Sequence, residues 1–156
     1  GGQVGIAIDA IRSSGHRHQF LSVTKQGVSA IVQTQGNPDC HLILRGGSDG
    51  PNYGPEAVAE ACQALEKAGL RGSVMVDASH ANSQKDHRNQ ARVVESVIEQ
   101  RRTNPGSIFG LMLESHLVAG RQDCSDPTQL VYGQSITDAC IGWEETVKLL
   151  EDLHRG

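Results

Sequence analysis

One imidazole and two carboxylates, His80, Glu114 and Asp138, recur along this sequence at intervals of roughly one strand-plus-helix unit. A nitrogen-oxygen set of that kind suits borderline divalent ions such as Mn, Fe, Co or Zn better than Ca or Mg. Arg45 offers a second chemistry. It precedes Gly46-Gly47 and a loop containing Gly50, Pro51 and Gly54, so a guanidinium able to grip an anion bidentately stands beside exposed backbone amides that add donors. That pairing suits a phosphate or a carboxylate. Spacing alone leaves plainer readings open: His80 opening a helix beside a capping Asn82, Glu114 solvated in a loop, Asp138 capping the last helix, and Arg45 in a surface ion pair.

The segments that would position these residues alternate in type. Val4, Ala7, Ile8 and Ile11 follow helical spacing and stop at Ser13-Ser14-Gly15. Phe20 to Thr24 and Val28 to Thr34 read as strands around a Gln26-Gly27 turn, pairing as a hairpin. A strand follows at His41 to Leu44, then a helix carrying Val58, Ala61, Cys62 and Leu65 and closed by Gly69. Val74 to Val76 leads into a helix from Lys85 to Arg102, with Ala91, Val94, Val97 and Ile98 as its buried stripe and Asn104-Pro105-Gly106 as its stop. Ile108 to Leu113 is the next strand, Glu114 to Ser135 a long polar loop, and Trp143 to Leu153 the last helix.

Strands that are continuous apolar runs, alternating with helices, indicate parallel βα units buried on both faces, and the fold class is α/β. Arg45, Asp77 with His80, and Glu114 each stand where an apolar run ends, so all are expected at the carboxyl end of the sheet, the binding face of such folds. Other candidates weigh less. His16, His18, His87, His116 and His154 read as surface residues, His41 as a satisfied interior histidine, and Lys25 as a solvated loop lysine. No serine sits in a GxSxG context, which removes support for acyl transfer.

Composition narrows the class further. The net charge is −4 with no block of like charges, which argues against a nucleic-acid or anionic-membrane surface. The 156 residues fit one compact unit. The four cysteines lack metal-knuckle spacing and read as reduced thiols. With no membrane-length apolar run and no signal-peptide pattern in its first residues, the chain is expected to be cytoplasmic. It begins at Gly1 without a Met, as a fragment or a processed chain would.

Longer words in the sequence carry a family resemblance. FLSVTK (Phe20 to Lys25), CHLILRGG (Cys40 to Gly47), PNY (Pro51 to Tyr53), DASHANSQK (Asp77 to Lys85), LESHLVAG (Leu113 to Gly120) and YGQSITDACIGWE (Tyr132 to Glu144) resemble, in order and spacing, class I 3-deoxy-D-arabino-heptulosonate 7-phosphate (DAHP) synthases. The resemblance spans essentially the whole chain. It implies a transferase of the shikimate pathway, in aromatic amino acid biosynthesis, that condenses phosphoenolpyruvate with erythrose 4-phosphate on a (β/α)8 TIM barrel. This chain would supply the last four βα units, the C-terminal half of that barrel. His80, Glu114 and Asp138 fall on the family's metal ligands. Arg45 falls on its phosphoenolpyruvate-binding Arg, and the resemblance implies Arg45 and His80 as both the catalytic and the phosphoenolpyruvate-binding residues. Phe20, Ser22 and Val32 fall where many members bind an aromatic amino acid effector.

The family segments that carry a metal-binding Cys, a Lys-Pro-Arg-Thr loop for erythrose 4-phosphate, and a Lys and an Arg for phosphoenolpyruvate have no counterpart among these residues. A full barrel takes about 250 residues, and half of one leaves open edges. The chain is therefore expected to be weakly active or inactive alone, and to work as a homo-oligomer or with a complementing N-terminal half. Two alternatives stand beside this reading: a non-catalytic half-barrel that self-associates and only binds ligands or partners, and a related octulosonate 8-phosphate synthase.

Overall fold

The computed structural model describes residues 3–156. Where one compact unit is expected, the chain divides into two, Gln3–Leu42 and Ile43–Gly156. The first holds helix α1 (Val4–Gly15) and strands β1 (Gln19–Val23) and β2 (Ser29–Gln33). The expected hairpin forms: β1 and β2 pair antiparallel, with Phe20 opposite Val32 and Leu21 opposite Ile31. Its turn is closed by the Gly27 amide donating to the Thr24 carbonyl.

The second unit carries the βα pattern. Strands β3 (Ile43–Leu44), β4 (Val74–Asp77) and β5 (Ile108–Met112) form a three-stranded sheet in that order, and both pairings are parallel. The strand expected over His41 to Leu44 is thus only two residues long. Helix α2 (Pro55–Lys67) buries Val58, Ala61, Cys62 and Leu65, the four positions its periodicity marks. Helix α4 (Trp143–Arg155) packs Leu149 with Val94 and Ile141 in a cluster that Leu111, Leu113 and Ile98 border. Fully burying a Val or Leu side chain contributes about 1.5–3 kcal/mol, so this cluster is a principal tie between the last two helices and the sheet.

Two expected segment assignments also need correcting. The helix anticipated from Lys85 begins later: α3 spans Gln90–Thr103 after a 3-10 turn at His87–Asn89. Gln84 and Lys85 both have positive φ, which breaks helical continuity, and the Asp86 side chain accepts from the Arg88 amide to start the turn anew. The anticipated polar loop from Glu114 to Ser135 contains structure as well. Strands β6 (Val118–Arg121) and β7 (Gln134–Ser135) pair in parallel there, with a 3-10 turn at Pro127–Gln129 between them.

The sheet is not buried on both faces. Val74, Val76 and Leu44 are buried. Ile43 and Met112, on the other face with Met75 and Asp77 by register, are each 37% exposed. Among the described residues no helix is long and apolar enough to cross a membrane, and all four cysteines are free thiols.

Candidate functional site

The parallel register places the residues after β3, β4 and β5 at one end of the sheet, as their positions after apolar runs require. β4 ends on Asp77, whose side chain is 3% exposed. A carboxylate so buried must be satisfied, and it is. One oxygen accepts from the Ser79 amide at 2.8 Å and the Ser79 hydroxyl at 2.7 Å, and the other lies 2.7 Å from His80 Nδ1. His80 sits at a φ of 51°, a left-handed conformation that costs a residue with a Cβ about 1–3 kcal/mol. The turn that follows holds it there, with the Lys85 amide donating to the His80 carbonyl and the Ser83 amide to that of Ser79. With Nδ1 held by Asp77 and by the Ser79 hydroxyl, His80 turns Nε2 toward Glu114 Oε1, 3.6 Å away.

Glu114 follows β5. Its backbone is clamped by the fully buried Gln90 at the start of α3, whose amide donates to the Glu114 carbonyl at 3.0 Å and accepts from the Glu114 amide at 2.9 Å. Asp138 comes from the segment between β7 and α4, exposed to solvent. Ligand atoms of His80, Glu114 and Asp138 all lie within 4.8 Å of one another. Burial pushes the Glu114 carboxyl up; His80 opposes that shift, while Asp138 and Asp77 add to it. Two carboxylates and an imidazole gathered this closely make a nitrogen-oxygen donor set, and a divalent cation is the group that fits it. Replacing Gln90 with Ala leaves the Glu114 N–H without this partner and the C=O with the Ile141 amide alone. We expect Gln90→Ala to lose about 1–3 kcal/mol of unfolding free energy, measured by urea titration against the unsubstituted protein.

Three of the plainer readings fail on this geometry. Asp138 does not cap α4, whose N-cap is Gly142, and His80 opens no helix. Asn82 caps nothing: it is 3% exposed, its amide donates to the Leu44 and Asp77 carbonyls, and its oxygen accepts from the Asn52 amide. Arg45, after β3, is exposed and makes no ion pair among the described residues. The Gly47–Gly50 turn beside it is closed by hydrogen bonds in both directions. Phe20, Ser22 and Val32 share one face of the hairpin, in the first unit. His16, His18, His116 and His154 are exposed as expected, and Lys25 likewise. His87 is half-buried beside Asp86, and His41 is exposed rather than interior.

Sequence reasoning missed the supporting roles of Gln90 and Asn52. A Gln on the buried side of an otherwise apolar helix start was the available signal for the first. Only its place in the Pro51-Asn52-Tyr53 word marks the second.

Comparison with known proteins bears on these residues as a set. The family model described as the DAHP synthetase I family matches residues 1–151. The chain is 55% identical over 152 residues to a phospho-2-dehydro-3-deoxyheptonate aldolase of Haemophilus influenzae, covering 97% of this chain and 42% of that protein. It is 53% identical to the Phe-sensitive aldolase of that name from Escherichia coli (97% of this chain, 43% of the relative). With the tyrosine-inhibited one of Schizosaccharomyces pombe it shares 51% identity (97% and 42%). The solved phospho-2-dehydro-3-deoxyheptonate aldolase of Francisella tularensis superposes with a TM-score of 0.91 at 49% identity, over 99% of this chain and 45% of that one. The chain thus spans less than half the length of these relatives.

Proposed function

This chain belongs to the DAHP synthetase I family, and from that premise we propose that it forms the C-terminal, metal-bearing half of a DAHP synthase barrel. The reaction is the condensation of phosphoenolpyruvate with erythrose 4-phosphate, with loss of inorganic phosphate. The observation that carries this reading is the convergence of His80, Glu114 and Asp138 at the strand ends. The open sheet face of Ile43, Met75 and Met112 is what a barrel wall lacking its other half would present.

His80, Glu114 and Asp138 would hold the divalent cation, Mn, Fe, Co or Zn. When bound, that ion supplies Lewis acidity toward the aldehyde oxygen or a water molecule. Asp77 fixes the imidazole so that Nε2 stays a lone-pair donor, and Gln90 fixes the main chain of Glu114. Arg45 binds the phosphoenolpyruvate anion and orients it, so that C3 meets the aldehyde carbon without a search over orientations. Phe20, Ser22 and Val32 form part of an aromatic amino acid effector pocket, in keeping with relatives named as Phe-sensitive and tyrosine-inhibited. The working form is a cytoplasmic assembly in which a complementary N-terminal barrel half, in this protein's own chain or another copy, supplies the remaining ligands.

The test is reconstitution. The chain is mixed with the separately produced N-terminal part of the Haemophilus influenzae relative, both substrates and Mn2+. Heptulosonate phosphate is expected from the mixture, and loss of product on chelation. No product above that of each part alone would overturn the assignment.

A further inference from the structure

The Arg45 side chain is exposed and has no ion-pair partner among the described residues, so something other than side-chain packing must fix it in space. Both of its peptide links are held. The carbonyl of the link before it, Leu44 C=O, accepts from Asn82 Nδ2 at 3.0 Å. The amide of the link after it, Gly46 N–H, donates to Asn52 Oδ1 at 2.7 Å. The two asparagines are joined in turn, because the Asn52 amide donates to Asn82 Oδ1 at 2.8 Å. Asn82 Nδ2 also donates to the Asp77 carbonyl at 2.8 Å, at the end of the strand from which His80 follows.

Gly46 completes the clasp. Its φ is +76°, and a Cβ there would stand 2.7 Å from the Ala81 Cβ and 2.9 Å from the Asn82 amide nitrogen. The absence of a side chain lets the Arg45 loop close directly onto the segment following His80.

We infer that Asn52 and Asn82 are positioning residues for Arg45: a two-asparagine clasp on its flanking peptides that aims the guanidinium at the anion and ties it to the strand end bearing the cation ligands. This rests on the reading of Arg45 as the phosphoenolpyruvate-binding residue. Asn52 lies outside the cation cluster, so its loss should be felt in anion binding and not in metal binding.

The experiment is a double-mutant cycle on the protein at its full natural length, with phosphoenolpyruvate and Mn2+ affinities measured by calorimetry. Asn52→Ala is expected to weaken phosphoenolpyruvate binding on the order of 10-fold, as loss of a well-made hydrogen bond would, with Mn2+ affinity within about 2-fold and the change appearing in KM more than in kcat. In an Arg45→Ala background the same substitution is expected to change phosphoenolpyruvate affinity by less than about 2-fold, because its effect is transmitted through Arg45. An undiminished loss in that background, or none in the parent, overturns the clasp. An Arg45→Ala protein that binds phosphoenolpyruvate normally would sink the reading of Arg45, and the clasp's purpose with it. A second measurement needs no substitution: amide exchange at Gly46 and Asn52 is expected to be slow, and exchange at the rate of an open loop overturns the clasp.

Discussion

His80→Ala and Glu114→Ala are each expected to weaken Mn2+ binding by more than about 100-fold, since even the partners standing behind metal ligands are worth about 10- to 100-fold. Each removes one donor from a set whose atoms lie within 4.8 Å. Without His80 the buried Asp77 also loses the imidazole it holds at 2.7 Å. Turnover that depends on metal should vanish with binding. His16→Ala, an exposed change in the other unit, is expected to leave both unaltered. Calorimetric titration of Mn2+ into the three variants checks this, and native affinity in both ligand variants would remove the site.

Arg45→Ala is expected to weaken phosphoenolpyruvate binding by about 10- to 100-fold, the worth of roughly 1.5–3 kcal/mol for hydrogen bonds to a charged group. Arg45→Lys should recover only part of that, because an ammonium keeps the charge and loses the planar fork that meets a carboxylate or phosphate with two parallel bonds. Metal affinity should hold in both, since Arg45 follows a different strand from any of the three proposed cation ligands. Full recovery by Lys would mean that charge alone, and not bidentate geometry, is what the site uses.

The parts of this molecule that could be read from its sequence are those set by periodicity and by the cost of burying charge. Val58, Ala61, Cys62 and Leu65 are buried on α2 because helical spacing puts them on one stripe. His80 and Glu114 stand together because each follows an apolar strand that ends at the same edge of a parallel sheet. Long-range polar pairing was not legible. Gln90 is fully buried for the sake of the Glu114 main chain, a partner that only the folded chain brings near. Asn82, recognisable as a capping residue type, spends its hydrogen bonds on Leu44, Asp77 and Asn52 instead. The start of α3 lies later than the periodicity implies because Gln84 and Lys85 take positive φ in the turn after His80, where no glycine signals it. The short β6–β7 pair leaves no sequence signal because Val118–Arg121 and Gln134–Ser135 carry too few apolar residues to mark a strand.

The most direct measurement is anomalous diffraction at the manganese edge from crystals of the full-length protein grown with Mn2+. One peak is expected at coordination distance, about 2.0–2.3 Å, from His80 Nε2 and from carboxylate oxygens of Glu114 and Asp138. A peak that leaves any two of these side chains uncoordinated, or a manganese seated elsewhere, would contradict the account.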